Sequence, residues 1–278
     1  MTETWPASVP YAPLETQLML RLPYAGERTE WEQGPARVVR RATRAPTGVE
    51  LGWDLMREEY EILRAWYRHR LNDGERRFTF PLYTGNQFRE VSCRFREAPR
   101  PATRRGAGLW RFAAKLDAAA VPTDPLEDIE AAWRDELDYR PDPDSLRVTP
   151  HEPLLRSEGE LGPTAVRRRF ASPAALEQDW VFDLDDMEIF RAWWDRALFQ
   201  GVRWFEVPVW TGEAYEPAIA RFREGAEARL EAGVQWRVGG RLELRELPSL
   251  SDLELTAIDA APSLHHLVHV VLPAALPA

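Results

Sequence analysis

The sequence predicts an α+β fold: two similar domains, each a mostly antiparallel β-sheet or sandwich with one α-helix packed across it. Three observations carry that prediction. A stretch of 45 residues occurs twice. Each copy holds one segment with the three- and four-residue spacing of a helix. Short runs with the two-residue period of strands flank that segment.

The repeat pairs Trp53–Glu97 with Trp180–Glu224 at a constant offset, and 17 of the 45 positions are identical. Glu61/Glu188, Ile62/Ile189, Arg64/Arg191 and Trp66/Trp193 agree, then Gly74/Gly201, Phe78/Phe205 and Pro81/Pro208. Thr84-Gly85 answers Thr211-Gly212, and Arg94-Phe95-Arg96-Glu97 answers Arg221-Phe222-Arg223-Glu224. With single-residue shifts the likeness extends upstream, from Gly34-Pro35 and Arg40-Arg41 to Gly162-Pro163 and Arg168-Arg169. It extends downstream from Trp110 and Leu116 to Trp236 and Leu242. The sequence reads as a tandem duplication.

In chain order, Val38–Thr43 and Val49–Trp53 are expected as strands around a turn at Ala45-Pro46-Thr47-Gly48. From Arg57 to Leu71 the apolar residues Tyr60, Leu63, Trp66, Tyr67 and Leu71 fall on one helical face. Met187, Phe190, Trp193, Trp194 and Leu198 repeat that face. Asp183 before Asp185-Asp186 suits a helix N-terminus, and Gly74 and Gly201 lie where a helix-ending glycine belongs. The runs containing Pro81 and Pro208 are expected at a sheet edge or a strand end, because proline cannot donate to a ladder. Arg89–Arg96 with Trp110–Leu116, and Ile219–Arg223 with Gln235–Leu244, complete the two sheets.

These readings divide the chain into an N-terminal arm, 1–33, a first repeat domain, 34–118, and a linker, 119–150. A second repeat domain, 151–248, and a C-terminal arm, 249–278, follow. The linker is expected to hold a short helix, Pro125–Leu137, begun by Asp124-Pro125. The C-terminal arm holds the expected strands Leu253–Ile258 and His266–Leu272. The arms are expected to order against neighbouring subunits.

Composition narrows the function. With 278 residues, 44% hydrophobic and 29% charged, the chain can bury two ordinary cores. A net charge of −9 argues against general affinity for nucleic acid. No apolar run reaches the length of a membrane span. The N-terminus lacks a basic patch followed by an apolar run, so assembly in the cytoplasm is expected. Cys93 is the single cysteine and Lys115 the single lysine, which excludes an internal disulfide and a cysteine metal cluster. The arginine excess suits packed interfaces.

Chemistry is sparse in this sequence. Phosphate loops, dinucleotide fingerprints, zinc-protease motifs and nucleophile elbows do not occur. His265, His266 and His269 lack a completing acid or cysteine. Asp138, Asp142 and Asp144 lack the glycine and the terminal glutamate of a calcium loop. Glu58-Glu59 and Asp185-Asp186 recur at matching places, where helix-terminus electrostatics accounts for them. The expectation is a protein that is not an enzyme, with no cofactor and no metal.

The string Gly34–Thr43 (G-P-A-R-V-V-R-R-A-T), then Trp66-Tyr67 and Gly74–Gly85, resembles a family of small phage and prophage tail proteins. Arg167–Arg169, Trp193-Trp194 and Gly201–Gly212 carry the same pieces again. The resemblance implies a minor, distal-tail-like structural part of a virion, near the tail tube or its tip, with tube and hub proteins as partners. Duplication adds a physical expectation: three chains present six similar domains, and such a ring can adapt sixfold to threefold symmetry. A ring of six chains is the alternative. Residues expected at ring contacts are Arg40, Arg41, Arg94 and Arg96, with Arg168, Arg169, Arg221 and Arg223, together with Trp5 and Trp31.

Two other readings compete. In one, Trp5, Trp31 and Trp133 stack on sugars or a receptor at the host surface; it requires them to be exposed. In the other, the chain is a tail assembly factor absent from the finished particle.

Overall fold

The computed structural model describes residues 3–14, 17–29, 36–43, 45–99, 102–105, 108–119, 121–125, 130–149, 154–157, 165–168, 174–210 and 214–245, with backbone only for 154–157 and 165–168. The strands expected at Leu253–Ile258 and His266–Leu272, the histidine cluster, Trp31 and Arg169 lie outside them. The described residues form 17 strands and two helices, so the protein is sheet-rich.

The first half opens with β1 (Glu3–Thr4), β2 (Met19–Arg21), β3 (Gly26–Thr29) and β4 (Arg37–Arg40). It continues with β5 (Thr47–Met56), α1 (Arg57–His69), β6 (Phe78–Tyr83), β7 (Phe88–Phe95), β8 (Thr103–Arg105) and β9 (Leu109–Ala119). The second half opens with β10 (Arg147–Thr149), β11 (Leu154–Ser157) and β12 (Ala165–Arg168). Then come β13 (Ala174–Phe182), α2 (Leu184–Arg196), β14 (Phe205–Trp210), β15 (Tyr215–Phe222), β16 (Glu227–Glu231) and β17 (Gln235–Leu244).

The long strands form because their apolar residues alternate. Phe112, Ala114, Leu116 and Ala118 of β9 all point into the core while their neighbours stay partly exposed. β5 leads into α1 and then into the β6–β7 hairpin. β7 and β8 pair in turn with one edge of β9, whose other edge takes β5. The path β13, α2, β14, β15, β16, β17 runs through the same pairings. Even the registers agree: Leu55 pairs with Trp110 as Phe182 pairs with Trp236. α1 packs on β5 and β9, and α2 on β13 and β17.

Shortly after each helix come three consecutive left-handed residues, Asn72-Asp73-Gly74 and Phe199-Gln200-Gly201. Asn and Asp tolerate this conformation, whereas Phe199 and Gln200, at φ 50° and 59°, are strained by about 1–2 kcal/mol each. Asp183 caps α2 as expected, its side chain accepting from the Asp185 and Asp186 amides. The proline strands are edges too. β6 takes β1 only at Phe78 and Thr79, ahead of Pro81, and β14 pairs with β15 alone apart from one isolated bridge.

Three expectations need correction. The Val38–Thr43 run does not fold back on β5; β4 pairs with β3 in a two-stranded ribbon. Its arginines leave little apolar surface to offer a core, and it stays largely exposed. The helix expected at Pro125–Leu137 is absent from the described part, 130–137, which is extended and turn-like. There Trp133 and Leu137 are buried in the second core. Burying a tryptophan outweighs the small propensity of so short a helix.

The third correction concerns the domains. One 13-stranded sheet runs through both halves instead of two separate sheets. β2 joins them: it pairs antiparallel with β5 on one edge and with β16 on the other.

Candidate functional site

The repeat reaches further than the shared motifs indicated, into the segments read as arm and linker. Trp5 stacks on Trp53 at 5.4 Å and meets Trp66 edge-on at 5.5 Å. Trp133 sits 5.0 Å from Trp180 and meets Trp193 edge-on at 5.3 Å. The indole N–H of Trp53 donates to the Tyr11 carbonyl and that of Trp180 to the Tyr139 carbonyl, both at 3.2 Å. β10 pairs with β13 in the register in which β2 pairs with β5. A sparse signal could have found this: Trp5, Tyr11 and Pro13 answer Trp133, Tyr139 and Pro141.

The most elaborate polar site lies where the first half meets the second. The tip of the β6–β7 hairpin sits on the outer face of α2. There Glu188 and Arg191, each 4% exposed, form an ion pair at 3.0 Å. The Thr84 hydroxyl donates to Glu188 at 3.0 Å, and Arg191 donates to the Thr84 carbonyl at 2.8 Å and the Pro122 carbonyl at 3.1 Å. Burial pushes the Arg191 guanidinium below its ordinary pKa, and the Glu188 carboxylate opposes that shift. The approach is close enough to require glycine at position 85: a Cβ there would lie 2.7 Å from Glu188 Cγ. Trp236, fully buried, donates to the Gly85 carbonyl at 3.2 Å and stacks with Tyr83.

A second contact comes from the β3–β4 ribbon, which lies on β15 and β17. Arg28 of β3 pairs with Glu243, and Arg221 donates to Glu243 at 3.0 Å and to the Ala36 carbonyl at 3.2 Å. The Arg221 guanidinium also lies 4.4 Å over the Trp204 ring. Arg40 covers the Phe199 ring at 5.1 Å, and Gln200 accepts from the Ala45 amide at 3.0 Å. The strained Phe199-Gln200 turn is thus held by the first half. The third contact is the β2–β16 pairing.

Of the residues expected at ring contacts, Arg221 lies buried in this junction and Arg40 borders it. Arg223 is half-buried beside it, its amide donating to the Arg241 carbonyl. Arg41 is exposed and pairs with Glu27. Arg94 is exposed, and Arg96 pairs with Asp117 at 2.7 Å. Arg168 lies in β12, and its side chain is outside the described residues. Trp5 is corrected: at 8% exposure it belongs to the core and is not a contact residue. Sequence reasoning passed over Glu188 and Arg191, although their identity with Glu61 and Arg64 was visible. A glutamate and an arginine three residues apart, kept in both copies on the helix face away from the core tryptophans, were the signal.

Among the described residues no group of three or more His, Cys, Asp or Glu is placed to hold a metal ion. Asp142 instead pairs with Arg237, and Glu59 accepts from the Met56 amide at the start of α1. A groove of about 920 Å³ runs beside β2, β13 and β17. Its charged walls pair with one another, Arg237 with Asp142 and Arg241 with Glu177. Among the described residues no helix is long and apolar enough to cross a membrane. No protein-family description matches the chain, and no curated protein matches it.

Proposed function

We propose that the chain is a non-enzymatic structural subunit of a bacteriophage tail, formed by tandem duplication of one sheet-and-helix unit. It is made in the host cytoplasm and resides in the virion, in a ring at the tail tube or tip beside the tube and hub proteins. Three chains presenting six units adapt a sixfold tube to a threefold tip; six chains presenting twelve units is the alternative arrangement. The observation that carries this reading is the joining of two like halves through one sheet and a buried polar junction. A protein that serves as a bead in a ring gains from fixing two neighbouring beads at once.

The host-surface reading loses two of its three candidate residues, because Trp5 and Trp133 are core residues. The test is mass spectrometry of purified particles, together with the mass of the purified ring. Presence in particles as a ring of three or six chains supports the proposal. A stable monomer absent from particles overturns it in favour of an assembly factor.

A further inference from the structure

Each contact that seats the first half on the second has an unused counterpart at the far ends of the chain. The first half gives three elements: the outer edge of β2, the β6–β7 hairpin and the β3–β4 ribbon. The second half carries the matching elements in β10, the β14–β15 hairpin and the β11–β12 ribbon, whose strands pair as β3 and β4 do. The receiving surfaces on the second half are β16, α2 and the β15–β17 face. The first half has the same surfaces in β8, α1 and the β7–β9 face.

Those surfaces stand open. Every residue of β8 and of β10 is exposed, and neither outer edge is paired among the described residues. On α1, Glu61 and Arg64 occupy the places of Glu188 and Arg191, yet both are exposed. Ile62 beside them is 41% exposed. Trp110, the counterpart of buried Trp236, is half-buried. The acid–base pair formed by Glu243 and Arg221 is answered by Asp117 and Arg94.

We infer that a second copy of this chain docks on the first half through these surfaces, repeating the internal junction head to tail. β10 of one chain lies beside β8 of the next, and the β14–β15 hairpin seats on α1 as the β6–β7 hairpin seats on α2. Trp210 stands at the position of Tyr83, ready to stack on Trp110, and Thr211-Gly212 follow it as Thr84-Gly85 follow Tyr83.

Repetition supports this choice of partner, because the offered elements and the receiving surfaces are copies of those already joined within the chain, in matching registers. Exposed strand edges are templates for pairing with another chain. A contact between unlike surfaces closes into a ring when its rotation closes, and otherwise extends into a filament.

The inference deepens the ring reading and rests on it only for self-association, not for the tail. The test uses the full chain with Thr103→Cys and Arg147→Cys, residues that take the places of Arg229 and Met19 in the internal strand pair. Partners across an antiparallel ladder have Cα atoms about 4.5–5.5 Å apart, within disulfide reach. On oxidation the double variant is expected to give a ladder of linked chains, its top rung counting the ring. Mixed single variants should give only a cross-linked pair. Arg64→Glu, on an exposed site, should weaken self-association about thirtyfold or more while leaving the circular dichroism spectrum unchanged. A native chain that stays monomeric, or oligomers that form no ladder, overturn the inference. A ladder from a protein absent from particles removes the tail reading and keeps this contact; presence in particles without a ladder does the reverse.

Discussion

Trp5 and Trp133, one near the chain start and one at its middle, make the same bonds in their two cores. Each indole N–H donates to the carbonyl four residues on, Val9 at 3.1 Å and Leu137 at 3.0 Å. Each amide donates to a strand carbonyl, Thr79 at 3.0 Å and Glu206 at 2.7 Å. Segments that look like an arm and a linker are therefore walls of the cores. Trp5→Ala and Trp133→Ala should each destabilise the chain by about 3–5 kcal/mol in denaturant unfolding. Losses under about 1 kcal/mol would return these residues to the arms.

The two arginines at matching helix positions should behave differently. Arg191 is buried with Glu188, and removing it strands a buried carboxylate and leaves the Thr84 and Pro122 carbonyls without their donor. Arg191→Met is expected to cost about 3–5 kcal/mol. Arg64→Met, at an exposed site, should stay within about 0.5 kcal/mol. Equal effects in thermal unfolding of the monomeric chain would contradict the burial of the junction.

Cys93 lies in the first core with no exposure, and burial pushes its thiol up to about 12. A thiol in that state has almost no thiolate at pH 8. Native protein should therefore resist a thiol-titrating disulfide reagent, and one thiol should appear per chain on unfolding. Rapid reaction in the native state would show the core open at β7.

Asp142 is held below the usual carboxylate range, first by its hydrogen bond from Arg237 and next by the Asp144 amide. Because its folded pKa lies below the unfolded value of about 4, its contribution is complete above that pH. The contribution disappears as the pH falls through the lower folded value. Asp142→Asn should lower stability at neutral pH, and the gap from the native chain should close below about pH 4. A gap that stays constant with pH would mean the pair contributes through shape alone.

The helices, their buried faces and the Asp183 cap were legible in the sequence, since spacing and local chemistry fix them, whereas Gly74 and Gly201 lie past the helix ends, in the turns that follow. Asp183 and the Met187, Phe190, Trp193 row sit where their pattern puts them. The proline edges followed from a missing donor. The β3–β4 ribbon was not legible, because nothing local to Val38–Thr43 names its partner. Nor was the outer face of α2. Its sequence matches α1 at Glu61 and Arg64, and only a neighbour makes one pair buried and the other exposed.

By itself, then, the sequence determined that two stretches of the chain repeat one another and which face of each helix is buried, because periodicity and repetition are written along the chain. Tertiary structure alone decided that the two units share one sheet through β2 and that Thr84 closes over Glu188 and Arg191. Those contacts join residues about a hundred positions apart, and they depend on which surfaces the folded halves bring together. A side chain's own neighbours in sequence carry no record of that meeting.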